Sequence, residues 1–198
     1  SWEAIRQSQT APDAKKAGED LAAFYSRIAE HYFRICREAV KEVAPHQMYL
    51  GCRFAWTNDL AANAAADHCD VIGYNLYRDD VSDFTLPDGV DMPVIIGEFH
   101  FGALDRGMFH TGLVGSADQN ERAAAYQSYV RSVIDHPNFV GSHWFQFVDQ
   151  PITGRVHDGE NYNIGFVSGT DTPYREMVEA AKEVHAEAYR RRASDRVE

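Results

Sequence analysis

Met92-Pro93-Val94-Ile95-Ile96-Gly97-Glu98-Phe99-His100-Phe101 is the stretch that decides the fold. It opens as an almost unbroken apolar run and turns polar at its C-terminal end. A short apolar run behind a turn suits a strand buried on both faces, as the strands of a parallel sheet are. The turn is Pro87-Asp88-Gly89, within a loop-like segment from Arg78 to Asp91. Alternation puts Val94, Ile96 and Glu98 on one face, so a carboxylate follows two core side chains. A carboxylate in that place requires partners or a chemical task.

Working outward, similar strands are predicted at Tyr49 to Phe54, Asp70 to Tyr77 and Val140 to Phe147. Helices fall between and around them. Leu21, Phe24, Ile28, Ile35, Ala39 and Val43 recur at helical spacing between the Ala11-Pro12-Asp13 turn and the Ala44-Pro45 stop. An alanine-rich helix follows from Asn58 to His68, with Asn58 or Asp59 as N-cap. Another runs from about Ala117 to His136 and is closed by Pro137, and the last starts at Pro173 or Tyr174 and reaches about Arg192. The first ten residues are polar and show no pattern. Strands alternating with helices imply an α/β fold with right-handed crossovers and a parallel sheet.

Parallel strands in such folds bring their C-terminal ends to one rim, where ligands bind. The rim residues are Arg53 with Trp56, Asn75 with Tyr77, Glu98 with His100, and Trp144 with Gln146 and Asp149. Glu98 is either a structural ion pair with Arg53 or Arg106, or a nucleophile or proton-transfer group tuned by His100 and Tyr77. Trp56, Tyr77 and Trp144 can offer flat apolar faces to sugar rings, and Asn75, Gln146 and a carboxylate can hydrogen-bond their hydroxyls. Together they read as a carbohydrate site. His31, His136 and His185 are expected on surface-facing sides of helices, whereas His100 and His110 flank the loop next to the site.

Composition narrows the classes. The chain has 198 residues, with 19 Lys and Arg against 30 Asp and Glu, a net charge of −11 that argues against binding nucleic acid through its phosphates. Arg190, Arg191 and Arg192 form its one basic cluster, read as a solvated helix end. Cys36, Cys52 and Cys69 show no metal spacing and read as small buried hydrophobes. No apolar run approaches a membrane span, and the opening residues lack signal-peptide features. HExxH, GxSxG and GxGxxG patterns are all absent, so neither a metal nor a cofactor is expected.

The run from Pro93 to Leu113, which contains Gly97-Glu98-Phe99-His100-Phe101-Gly102, resembles the β-agarases of glycoside hydrolase family 50. Gly141-Ser142-His143-Trp144-Phe145-Gln146-Phe147-Val148-Asp149-Gln150-Pro151 and Glu160-Asn161-Tyr162-Asn163-Ile164-Gly165-Phe166 support it. The resemblance implies a retaining glycosidase on a (β/α)8 TIM barrel, acting on β-galactosidic links in agarose or its oligosaccharides. It implies Glu98 as nucleophile at the end of the seventh barrel strand. Residues 1–198 would then be a single segment, the C-terminal half of the barrel carrying strands five to eight. Arg53, Asn75, Tyr77, His100, Trp144, Gln146 and Asp149 are expected to bind a galactan-type polysaccharide or oligosaccharide. A secreted or periplasmic bacterial setting is implied in the same way.

The clan's acid/base glutamate usually stands in an Asn-Glu pair ending the fourth strand. No such pair precedes the first long helix, and Ser1-Trp2 resembles the residues that follow it, so the acid/base is expected just upstream. Eight-stranded barrels typically take about 250 residues, which makes this chain short for one. Four parallel strands alone leave two open edges. A homodimer or higher homo-oligomer that restores an eight-stranded ring is therefore expected.

Overall fold

The computed structural model describes residues 1–194. The described residues form two compact units, one of Ser1–Gly51 with Thr57–Asp70, the other of Cys52–Trp56 with residues 71–194. The first unit holds three helices, α1 (Trp2–Gln7), α2 (Gly18–Val43) and α3 (Asp59–His68). Helix α1 corrects the reading of the opening residues as patternless. It forms without apolar periodicity because polar neighbours suffice: the Ser1 hydroxyl accepts the Ala4 N–H, and Gln7 donates to Glu3 one turn back at 2.7 Å.

Helix α2 ends where expected, at Val43, with Ala44 as its cap directly before Pro45. Its apolar stripe is largely exposed, with Phe33 its one buried residue. Helix α3 begins at its expected cap, where the Asn58 side chain accepts the Ala61 N–H at 3.0 Å, and it buries Ala61, Ala62, Ala64 and Ala65. Asp70 ties this unit together. Its carboxylate accepts the Tyr49 N–H at 2.7 Å and pairs with Arg37 and Lys41, each at 3.1 Å. The Tyr49 N–H, then the Lys41 ammonium, hold its carboxyl down at about 2.

The second unit is built on β1 (Arg53–Phe54), β2 (Ile72–Asn75), β3 (Val94–Phe99) and β4 (Phe139–Trp144), with α4 (Gln119–Asp135) and α5 (Arg175–Ser194). All pairings are parallel and the order is β1-β2-β3-β4. The strands are shorter than the sequence suggests. β1 loses its first four residues; at their head Tyr49 donates its N–H to the Asp70 side chain and accepts the Asp70 N–H on its carbonyl instead of joining the ladder. On β3, Val94 and Ile96 are fully buried, and Glu98 is partly exposed at the end of their face. Phe99, pointing the other way, stacks on Tyr129 of α4 at 4.1 Å and meets Trp144 edge-on at 5.2 Å.

Helix α4 starts behind Asp118, whose carboxylate accepts the Asn120 and Glu121 N–H groups. Helix α5 packs on it through Met177, Ala180 and Val184. The basic cluster at its end is not simply solvated, which corrects the sequence reading. Arg191 pairs with Asp135, and Arg192 donates to the carbonyls of Ile134, His136 and Pro137, satisfying acceptors that the end of α4 leaves open. The cysteines also differ in part from expectation, since Cys69 is buried but Cys36 and Cys52 are only half-buried. No described helix is long and apolar enough to cross a membrane.

Candidate active site

The site gathers around Glu98. Its Oε2 accepts a hydrogen bond from the Tyr77 hydroxyl at 2.7 Å, and its Oε1 pairs with the Arg53 guanidinium at 3.2 Å. Arg53 also donates to the Gly97 carbonyl. Of the two arginines considered as partners, Arg53 takes the place, while Arg106 pairs with Glu176 and Asp105 instead. Gly97 makes this possible: a Cβ there would lie 2.4 Å from Arg53 and 2.7 Å from the Asn75 side-chain oxygen, so both can reach across β3 only over a bare backbone.

Asn75 stands beside Glu98 in the register of β2 and β3, and its Oδ1 is buried without a hydrogen-bond partner in the protein. A buried acceptor left without a partner is an exception to the usual satisfaction of buried polar groups. The Tyr77 phenol has its pKa raised, first by burial and then by the carboxylate it serves, so at neutral pH it remains a donor. His100 is 2% exposed; its Nδ1 faces the Phe145 carbonyl at 3.1 Å and its Nε2 accepts the Leu113 N–H at 2.8 Å. Burial pushes its pKa down to about 4, so it is neutral at neutral pH.

Trp56, Asn75, Tyr77, Glu98 and His100 line one cleft of about 450 Å³, and Trp56 is 97% exposed. The other predicted residues do not line it. Arg53 touches Glu98 from the side. Trp144 gives its indole N–H to the Ile164 carbonyl at 2.7 Å, and Gln146 donates to the Val148 carbonyl. Asp149 is buried, and its oxygens accept from Asn163, the Gly165 N–H and the Tyr174 hydroxyl. The Trp144 and Gln146 N–H groups and the Asp149 carboxylate thus hold the chain beyond β4, where the Phe145–Gln146 peptide is cis.

Sequence reasoning missed Leu113, Phe145, Arg155, Glu160 and Tyr162, which complete the cleft. Four of them, Phe145, Arg155, Glu160 and Tyr162, lie beyond the end of β4, where the chain carries no periodic signal. The family-like runs held the clue for four of the five: Leu113 ends the first, Phe145 lies in the second, and Glu160 and Tyr162 lie in the third. Glu160 accepts from Gln150 at 2.7 Å and pairs with Arg155 at 2.6 Å, and the Arg155 guanidinium lies over the Phe145 ring at 5.9 Å. Tyr162 stacks on His110 at 4.7 Å. A larger hollow of about 740 Å³ runs along the exposed side of α2, but a single helix lines it and it gathers no such constellation. Among the described residues, no group of three or more His, Cys, Asp or Glu is arranged to hold a metal ion.

No protein-family model matches the chain. Individual proteins do. The β-agarase B of Vibrio sp. (strain JT0107) is 46% identical over 181 residues, an alignment covering 89% of this chain and 19% of that protein. A solved exo-β-agarase superposes with a TM-score of 0.88 at 45% identity, over 93% of this chain and 25% of its own. The solved PfGH50B gives a TM-score of 0.81 at 43% identity, over 89% of this chain and 26% of its own. The chain belongs to glycoside hydrolase family 50. It spans about a fifth of the curated family-50 relatives it matches. Its four parallel strands with their helices match the C-terminal part of the family-50 agarase barrels, so the cleft around Glu98 is a piece of a family-50 glycosidase fold.

Proposed function

We propose that this chain carries the nucleophile of a retaining β-agarase, with Glu98 in that role and a galactan such as agarose or its oligosaccharides as substrate. The observation that carries the reading is the setting of Glu98: a carboxylate at a strand end, open to a cleft, with a phenol and a guanidinium on its two oxygens. Those donors orient the carboxylate without saturating it. In double displacement, a Glu98 oxygen attacks the anomeric carbon and the glycosidic bond breaks. The leaving oxygen takes a proton from a second carboxylic acid, and water, deprotonated by the same group, then releases the sugar from Glu98.

Glu160 is the other carboxylate lining the cleft. Gln150 and Arg155 both present donors to it, an arrangement for accepting sugar hydroxyls rather than for handing over a proton. The proton donor is therefore assigned to residues other than those lining this cleft. Trp56, Phe145 and Tyr162 supply the faces on which sugar rings stack. The test is hydrolysis of agaro-oligosaccharides by the intact enzyme with Glu98→Gln, together with mass analysis after a slow 2-fluoro-galactoside substrate. Loss of turnover in the variant and a covalent adduct on Glu98 in the parent are expected. Undiminished turnover of Glu98→Gln would end the reading.

A second reading concerns assembly. Within the described residues, β1 and β4 each have a strand on one side only. Two copies joined edge to edge would restore an eight-stranded ring with two Glu98 side chains facing one interior, a half-barrel homodimer that binds sugar even without hydrolysing it. A monomeric mass in solution at micromolar protein would refute it.

A further inference from the structure

We infer that His100 is a positioning residue, a neutral clamp that holds Tyr77 against Glu98 and fixes the Leu113 wall of the cleft. The inference rests on the proposed role of Glu98 and deepens it. Four observations meet in this one ring. His100 directly follows β3, two residues beyond Glu98, and is 2% exposed. Its two nitrogens serve different segments: Nε2 accepts the Leu113 N–H at 2.8 Å, and Nδ1 lies 3.1 Å from the Phe145 carbonyl. A backbone N–H can only donate and a carbonyl can only accept, so the ring must be neutral with its proton on Nδ1.

The ring also packs edge-on against Tyr77, with centroids 4.7 Å apart, and Tyr77 is the residue that donates to Glu98. Finally, Gly112 has φ +79° and a Cβ there would sit 2.5 Å from Nε2, so the loop backbone is laid directly on the imidazole. The groups around the ring agree with neutrality: Tyr77 and Tyr162 present aromatic rings, and the Arg122 guanidinium disfavours a second positive charge. Protonation would place a donor against the Leu113 N–H and release the loop. His100 therefore takes no part in proton transfer; it acts through Tyr77 and Leu113.

The experiment has two arms. Long-range ¹H–¹⁵N spectra of the wild-type protein should show an Nδ1–H tautomer that persists from neutral pH down to about pH 5. An Nε2–H tautomer, or a ring titrating near neutrality, overturns the clamp. In the intact enzyme acting on agaro-oligosaccharides, His100→Asn should lower kcat about tenfold or more, as Tyr77→Phe does, and the double variant should be no worse than about twofold below the weaker single one. Additive losses would show that His100 does not act through Tyr77. Should His100→Asn fail to fold, Gly112→Ala presses a methyl group on Nε2 and leaves the histidine in place. It should lower kcat in the wild-type background and not in Tyr77→Phe, and an unchanged kcat overturns the proposal. Turnover that survives Glu98→Gln would sink the nucleophile assignment and leave the tautomer result standing, so the two failures are distinguishable.

Discussion

Glu98, near the end of β3, and Asp149, beyond the end of β4, are both acidic residues at one edge of the same sheet, and the structure gives them opposite lives. Asp149 is 5% exposed, with a side-chain amide, a backbone N–H and a phenol all donating to its oxygens. Nearby, the buried Arg122 guanidinium, its pKa lowered to about 10 chiefly by burial, donates to the carbonyls of Phe101 and Gly165 and draws part of its compensation from that carboxylate. Glu98 has one donor on each oxygen and faces the cleft. A saturated carboxylate builds structure, and one with lone pairs left over can do chemistry. Residue type does not separate the two; the count of unspent lone pairs does.

The most forceful way to break this contrast is Glu98→Gln, which is expected to cost at least about 10⁴-fold in agaro-oligosaccharide turnover while the urea midpoint stays near wild type. A large loss of stability would make Glu98 a structural residue after all. Asp149→Asn should do the reverse. Three donors would then face an amide that offers one acceptor oxygen and two N–H groups, so urea unfolding should show about 3–5 kcal/mol of lost stability. An unfolding curve close to wild type would refute the structural assignment.

His100 sharpens the contrast, because it lines the cleft and yet has both nitrogens engaged within the protein. Its pKa lies at about 4 in the folded chain, against 6.5 for an ordinary imidazole. The unfolded chain takes up a proton that the folded one refuses, so this contribution is fully present above the unfolded value. It is lost as pH falls from about 6.5 toward about 4, by up to about 3 kcal/mol. Subtracting His100→Asn unfolding free energies from wild-type ones across that range measures it, and a flat difference would contradict the burial argument.

Smaller effects are expected from the neighbours. Tyr77→Phe removes one of the two donors to Glu98 and should lower kcat about tenfold, read under saturating substrate. Glu160→Gln keeps the shape of the cleft wall and removes only its charge. KM should then rise about threefold to tenfold with kcat nearly unchanged, and a kcat loss comparable to that of Glu98→Gln would instead make Glu160 a partner in proton transfer.

Much of this was legible in the chain. The alternation in Val94-Ile95-Ile96-Gly97-Glu98 placed the carboxylate on its face, the N-cap at Asn58 was readable, and the rim rule found Asn75, Tyr77 and His100. Trp144, Gln146 and Asp149 sit where the same rule puts cleft residues, but Ile164 and Val148 take the N–H groups of the first two, and Asn163, Gly165 and Tyr174 donate to the carboxylate of the third. Those claimants lie in a loop and a helix start with no periodic pattern. Helix α1 was illegible for a related reason, since capping and side-chain pairs form it rather than an apolar repeat.

The sequence by itself determined the kind of structure and the edge that carries the carboxylate: parallel strands, helices between them, and a glutamate at the end of a buried face. Periodicity and capping are local properties, written within a few residues of where they act. Only the tertiary structure decided which polar groups were left unspent at that edge, and that Arg155, Glu160 and Tyr162 would close the cleft around Glu98. Hydrogen-bond saturation depends on partners far apart along the chain, as with Asn163 on Asp149 and Tyr77 on Glu98, and no local pattern records it.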